Sequence, residues 1–217
     1  MIILKTSATI SDDFANVIKS GKYEEIIYEL MCRSEVVFPS KYQYNQEQAH
    51  GECDFVDTVT GEKYDAKLAF NSKHGKIIGS KNGNVNRLIK IMSEEAMEFS
   101  KCYEGPDRLK KEELTLYKVL ENLVKKVKPD ENGVFFFPFP ITIDYKDNIL
   151  ALIGSDILQE LYKTLKKNDV VKMENLYVIY PALDGTIVLR NMNENVREYL
   201  KCPEFDDYIL YKYEILK

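Results

Sequence analysis

Two short segments between residues 52 and 70 constrain this chain more than any other. Glu52-Cys53-Asp54-Phe55-Val56-Asp57 and Glu62-Lys63-Tyr64-Asp65-Ala66-Lys67-Leu68-Ala69-Phe70 both alternate, and Thr58-Val59-Thr60-Gly61 separates them. Successive side chains on a strand point to opposite faces. Each arm therefore has an apolar face, Cys53 and Phe55 on one and Tyr64, Ala66, Leu68 and Phe70 on the other. Each also has a charged face, Glu52 and Asp54 opposite Asp65 and Lys67. The glycine-containing connection predicts a β-hairpin. A slip of one residue would drive the carboxylates into the core, so the register is strongly specified.

If Asp57 pairs with Glu62, Asp54 falls opposite Asp65, with Lys67 two residues further on. Like charges directly opposite each other destabilise a sheet. A divalent cation with oxygen ligands is the natural compensation, and such an ion can acidify bound water and polarise a phosphate oxygen. Lys67 could then stabilise charge at pentacoordinate phosphorus or position the attacking water. The simpler alternative is a solvated hairpin face with an ordinary cross-strand salt bridge, and the pattern alone leaves it open.

Composition narrows the chemistry. The chain has only two histidines, His50 and His74, and four widely spaced cysteines, Cys32, Cys53, Cys102 and Cys202. A multi-histidine zinc site is excluded, and nothing has the spacing of a metal knuckle or a disulfide scaffold. Any metal should be held by oxygens, which means magnesium, manganese or calcium. Against 35 acidic residues stand 30 basic ones, a net charge of −5. That argues against polybasic, metal-free binding of nucleic acid, whose main energy is neutralisation of phosphates. No apolar run approaches the roughly 18 residues that span a bilayer, and Met1-Ile2-Ile3-Leu4-Lys5 lacks the charged start and long apolar stretch expected of a signal peptide. The expected compartment is a reducing cytoplasm, with no membrane partner.

Elsewhere the periodicity predicts a mixed set of elements. Gly21 to Val36 reads as a helix with Tyr23, Ile26, Ile27, Leu30 and Met31 on one stripe, ended by Pro39. Ser40 to His50 reads as polar loop. Asn84 to Tyr103 and Asp107 to Lys128 read as helices separated by Gly105-Pro106, and Asp130-Glu131-Asn132-Gly133 as the turn that stops the second. Val134 to Ile143 is a strand whose prolines, Pro138 and Pro140, suggest an edge or a bulge. Ile149 to Lys167 is a further helix. Leu176–Pro181 and Thr186–Met192 form a second hairpin, and Tyr208 to Leu216 a last strand. At 217 residues the default is one elaborated domain. The element order predicts an α/β (α+β) fold, a central mixed β-sheet flanked by helices.

Gly51-Glu52-Cys53-Asp54-Phe55, followed by Asp65-Ala66-Lys67, resembles the signature of the PD-(D/E)xK nuclease superfamily, the restriction-endonuclease-like fold. The resemblance covers mainly residues 21–70, with looser topological support to about residue 183. It implies that Asp54 and Asp65 are metal ligands for Mg²⁺ (or Mn²⁺), the Ala66 carbonyl a further ligand, and Lys67 the catalytic lysine. The family core runs helix, three strands, helix, strand. Residues 72–128 are then a basic loop plus helical insertion, with Val134 to Ile143 the third strand. Many members add a glutamate from the first helix. Glu24 is best placed for that role, since it borders the apolar stripe while Glu25 and Glu29 face away. Cys53 stands where the motif has proline. With 25 lysines and 35 acids, about four acid-x-Lys tripeptides arise by chance, so the hairpin context and the second acid carry the resemblance. Asp144-Tyr145-Lys146, for instance, has no convergent partner.

Residues 71–93 contain no acid and hold Lys73, Lys76, Lys81, Arg87 and Lys90. Beside a metal hairpin, Lys73, Lys76, Lys81 and Arg87 would contact phosphates; otherwise the stretch is a soluble loop. The expected activity is metal-dependent hydrolysis of phosphodiester bonds, in DNA ahead of RNA, with Glu52 or Glu24 assisting. A homodimer is expected only from what such nucleases often do. The competing class is a non-catalytic nucleic-acid- or protein-binding member of the same fold, such as a defence or phage-related component.

Overall fold

A computed structural model describes residues 3–10, 22–45, 52–69, 110–137, 155–181, 186–202 and 209–216. In chain order these form β1 (Ile3–Ile10), α1 (Tyr23–Arg33), β2 (Tyr42–Tyr44), β3 (Phe55–Asp57) and β4 (Lys63–Leu68). A 3₁₀ turn (Lys111–Glu113) leads into α2 (Thr115–Val124), followed by β5 (Glu131–Phe136) and α3 (Ser155–Lys167). The chain continues through β6 (Leu176–Pro181), β7 (Thr186–Asn191), β8 (Val196–Lys201) and β9 (Ile209–Leu216).

Strands β2 to β8 make one seven-stranded sheet in strictly sequential order, and β1 pairs with β9 in a separate antiparallel ribbon. Within the large sheet β4, β5 and β6 are parallel and every other neighbour is antiparallel. Parallel neighbours need crossovers, which α2 and α3 supply. The class is α+β, a mixed sheet with helices on both faces.

Alternation in the central strands sorts the core into two halves. Val134 and Phe136 of β5 join Phe55, Tyr64 and Ala66 beneath Ile27, Leu30 and Met31 of α1. Phe135 and Val178 face the other way, onto Leu120 and Leu123 of α2 and Leu158 and Leu161 of α3. A fully buried side chain of this size contributes roughly 1.5–3 kcal/mol, so the i, i+3, i+4 stripe of α1 suffices to dock it. Glu24 and Glu25 in its first turn and Arg33 in its last complement the helix dipole.

Several expectations change. The α1 helix ends at Arg33, where the Ser34 N–H caps the Leu30 and Met31 carbonyls at 3.1 and 3.2 Å. Residues 42–44, expected as loop, are a strand paired with β3; three residues are too few for a period to be read. The helix expected over 107–128 is broken at Leu114 between the 3₁₀ turn and α2. The strand expected over 134–143 starts at Glu131 and lies in the middle of the sheet, so it is neither an edge nor a bulge. The supposed turn residues open it because their polar groups are satisfied. Glu131 meets Lys128 at 2.8 Å. The Gly133 N–H donates to the Asn175 carbonyl at 3.0 Å, and Asn132 Oδ1 accepts the Asn175 N–H at 3.2 Å. The second hairpin extends into a third strand, β8, and the C-terminal strand finds its partner at the N-terminus. The helix expected over 84–103, Phe70, Pro138, Pro140 and residues 149–154 lie outside the described residues. Among the described residues no helix is long and apolar enough to cross a membrane.

Candidate active site

The hairpin forms in the expected register. Phe55 pairs with Tyr64, Val56 with Lys63, and the Asp57 N–H donates to the Glu62 carbonyl at 2.9 Å. Gly61 closes the turn at φ +78°, a conformation that favours glycine. Asp57 holds the turn from the other side. Its Oδ1 accepts the Ser40 hydroxyl at 2.7 Å and the Val59 and Thr60 N–H groups at 2.7 and 3.1 Å. Burial opposes charge on Asp57, but these donors outweigh it and keep the carboxyl below its ordinary range.

At the far end the ladder departs from simple opposition. The Asp54 N–H donates to the Tyr64 carbonyl at 3.0 Å, although Phe55 is already the partner of Tyr64. Two residues thus face one, the count of a β-bulge, and a bulge re-aims the side chain that it carries. The Asp54 carboxylate takes the N–H of Ala66, replacing a backbone acceptor in the ladder. Asn45 fixes the outer side of the bulge, its N–H on the Asp54 carbonyl and its Nδ2 on the Cys53 carbonyl, both at 2.9 Å. The residue in the proline position of the motif, Cys53, is buried with its thiol pushed up by burial and by Glu131.

The two carboxyl groups converge as the alternation predicts. Asp54 and Asp65 are 5% and 8% exposed and in hydrogen-bonding contact with each other, and Lys67 Nζ forms a salt bridge with Asp65 Oδ1. Burial raises the Asp65 carboxyl to about 6; Lys67 opposes the shift and Asp54 adds to it. A pair of buried carboxyls in contact must share a proton or hold a cation.

Glu24, on α1, lies within electrostatic reach of Asp54 and Lys67. Burial and the Asp54 charge raise its carboxyl, while Tyr44, Tyr23 and Lys67 pull it down. The Tyr44 hydroxyl donates to Glu24 Oε2 at 3.2 Å. Burial and the same carboxylates push Tyr44 up to about 12, and Tyr23 is raised for the same reasons. Both tyrosines therefore stay protonated donors at neutral pH. The sequence marked Tyr23 only as a core residue and Tyr44 not at all. Tyr44 sits in the three-residue strand Tyr42–Tyr44, too short for its alternation to be read as a period.

Of the expected site residues, Asp54, Asp65 and Lys67 come together, Glu24 lies within reach of their charges, and Ala66 is buried between Asp65 and Lys67. Glu52 is exposed two residues before Asp54. Lys73, Lys76, Lys81 and Arg87 lie outside the described residues. Among the described residues no group of three or more His, Cys, Asp or Glu side chains is arranged to hold a metal. What the donor set offers is two buried carboxylates. That fits Mg²⁺, which is commonly bound through one or two carboxylates, keeps several waters and takes its remaining oxygens from substrate phosphates. No family model, curated protein or solved structure matches the chain.

Proposed function

We propose that this chain is a metal-dependent nuclease of the restriction-endonuclease-like fold, hydrolysing phosphodiester bonds in DNA ahead of RNA. The observation that carries the reading is the buried contact between Asp54 and Asp65, with Lys67 on Asp65 and Glu24 alongside. Electrostatic tension of this kind, in which like charges are assembled and kept from water, is characteristic of functional sites.

The order of elements gives independent support. The sequence α1, β2, β3, β4, α2, β5 is helix, three strands, helix, strand, the order of the family core. With β2 counted, the third core strand is β4, which carries Asp65 and Lys67, and β5 becomes the fourth. This mapping replaces the one in which residues 134–143 were the third strand. It also makes α2 a crossover helix of the core, so any insertion is confined to the residues before it.

Asp54, Asp65 and the Ala66 carbonyl would hold Mg²⁺ (or Mn²⁺), which supplies a Lewis acid for a phosphate oxygen and acidifies a water. The residues of the chain do the rest. Lys67 stabilises the charge that builds on the phosphoryl oxygens. Glu24, with its carboxyl above the ordinary range, is suited to take the proton of the attacking water. Tyr23 and Tyr44 orient Glu24. The bulge at Asp54 fixes the distance between the two aspartates, because one carboxylate is tied to the backbone of the strand that carries the other.

The test is Mg²⁺- and Mn²⁺-dependent cleavage of linear, circular and single-stranded DNA, and of RNA, by the wild type and by Lys67→Ala. The expected result is metal-dependent cleavage that falls at least about a hundredfold in the variant. Absence of cleavage of every substrate, with Mg²⁺ still bound, would leave a non-catalytic binding protein. Cleavage unchanged in the variant would remove Lys67 from the mechanism.

A further inference from the structure

The row of charges on this face of the sheet continues past Asp65. In the parallel ladder Asp65 pairs with Gly133 and Lys63 with Glu131. Glu131 therefore shares the face of Asp65, one diagonal step away on the neighbouring strand. It is 4% exposed, and a buried carboxylate without a counter-charge is costly. Lys128 supplies the charge, its Nζ lying 2.8 Å from Glu131 Oε1. The Glu131 N–H also donates to the Lys128 carbonyl at 3.1 Å, so the turn into β5 ties the two residues together through backbone and side chain.

Lys128 differs from the acid that it neutralises, because its side chain is 49% exposed. Its ammonium is held up by the hydrogen bond to Glu131, and it also senses the charges of Glu131, Asp130 and Asp65. The result is a half-exposed cation anchored by Glu131, on the sheet face that carries Asp65 and within reach of its charge. Lys67 stands on the other side of Asp65, on the same strand face.

We propose that Lys128 is a second substrate-contacting cation of this site, binding the phosphate next to the one that is cleaved. The proposal rests on the nuclease reading above. It assigns Glu131 a positioning role, holding the ammonium in place without touching substrate.

The test is steady-state cleavage of a fluorescent DNA duplex in Mg²⁺ across a salt series. It uses the wild type, Lys128→Ala, Lys128→Arg and the double variant Lys128→Ala/Glu131→Gln. In the double variant no buried charge is left uncompensated, so a folding defect and a lost substrate contact are separated. The expected result for Lys128→Ala is a KM raised about five- to tenfold, with kcat within about twofold and the slope of log(kcat/KM) against log[salt] shallower by about one. The double variant should show the same loss, and Lys128→Arg should keep most of the wild-type KM. A double variant that recovers wild-type KM and salt slope would show that Lys128 only neutralises Glu131 and would overturn the proposal. If the wild type cleaves and Lys128→Ala is unchanged, this inference alone fails; if the wild type neither cleaves nor binds the duplex, the nuclease reading fails with it.

Discussion

The carboxylate of Asp54 accepts the backbone N–H of Ala66, the residue between Asp65 and Lys67. One side chain thus does two jobs, closing the hairpin ladder where the bulge has interrupted it and standing in contact with the second acid. Substitutions at Asp54 should separate these jobs. Asn keeps an oxygen for the Ala66 N–H, so Asp54→Asn should melt within a few degrees of the wild type and lose metal-dependent cleavage. Asp54→Ala leaves a buried N–H without this acceptor and should cost about 1–3 kcal/mol as well. Thermal melts run beside cleavage assays distinguish the two. An Asp54→Asn variant that still cuts would remove Asp54 from the metal site.

Asp65 sets a pH dependence of definite sign. Its carboxyl titrates at about 6 in the folded chain against 3.8 in the absence of the fold. Folding therefore takes up a proton between those values. The stability gained from the protonated form is complete below the unfolded value and is lost as pH rises through about 6. Without metal, the melting temperature should fall between about pH 5 and 7.5, and Asp65→Asn should flatten that fall. Mg²⁺ competes with the same proton, so it should raise the melting temperature more at about pH 7.5 than at about pH 5.5. Equal stabilisation by Mg²⁺ at both pH values would place the ion elsewhere.

Asp57 contributes with the opposite sign. Its carboxyl lies below the ordinary range, so its stabilisation is present above the unfolded value near 3.8 and is lost as pH falls through the folded one. Asp57→Ala removes three hydrogen bonds to one buried oxygen and should cost about 2–3 kcal/mol. For a chain of this size that is a drop of about 5–10 °C, measured above about pH 6. A variant that melts with the wild type would mean that the turn is held by Gly61 and the ladder alone.

Gly133 tests how tightly the central strand is fitted beside Asp65, its register partner. A Cβ there would lie 2.8 Å from Met173 Sδ and 3.3 Å from Phe135 Cε1. Methionine is flexible and yields, whereas the ring is held in the core, so Gly133→Ala should destabilise by about 1–3 kcal/mol. Adding Met173→Ala should therefore recover none of that loss in a chemical denaturation series, since it removes the side chain that already gives way and opens a cavity at a buried position. A double variant more stable than Gly133→Ala would place the strain at Met173 instead.

The hairpin was legible because a strand of period two with one buried face admits a single register. Alternation in two short arms placed Asp54, Asp65 and Lys67 near one another without any other information. The sequence also showed which side of α1 is apolar, and hence that Glu24 and not Glu25 or Glu29 lies toward the sheet. It could not show β2, because three residues carry no measurable period. Nor could it show that Glu131, Asn132 and Gly133 form a strand, since polar residues and glycine read as a turn until partners from distant segments satisfy them.

What only the tertiary structure decided is set by contacts between residues far apart in the chain. The parallel pairing of β4 with β5 brings Glu131 and Lys128 beside Asp65, across more than sixty residues of sequence. Burial of both sheet faces turns a charged hairpin face into a pair of contacting carboxyls, and with that the chemistry changes. Periodicity is a local property and fixes which face a side chain takes. The environment of that face depends on which strands and helices cover it, and no local pattern contains that.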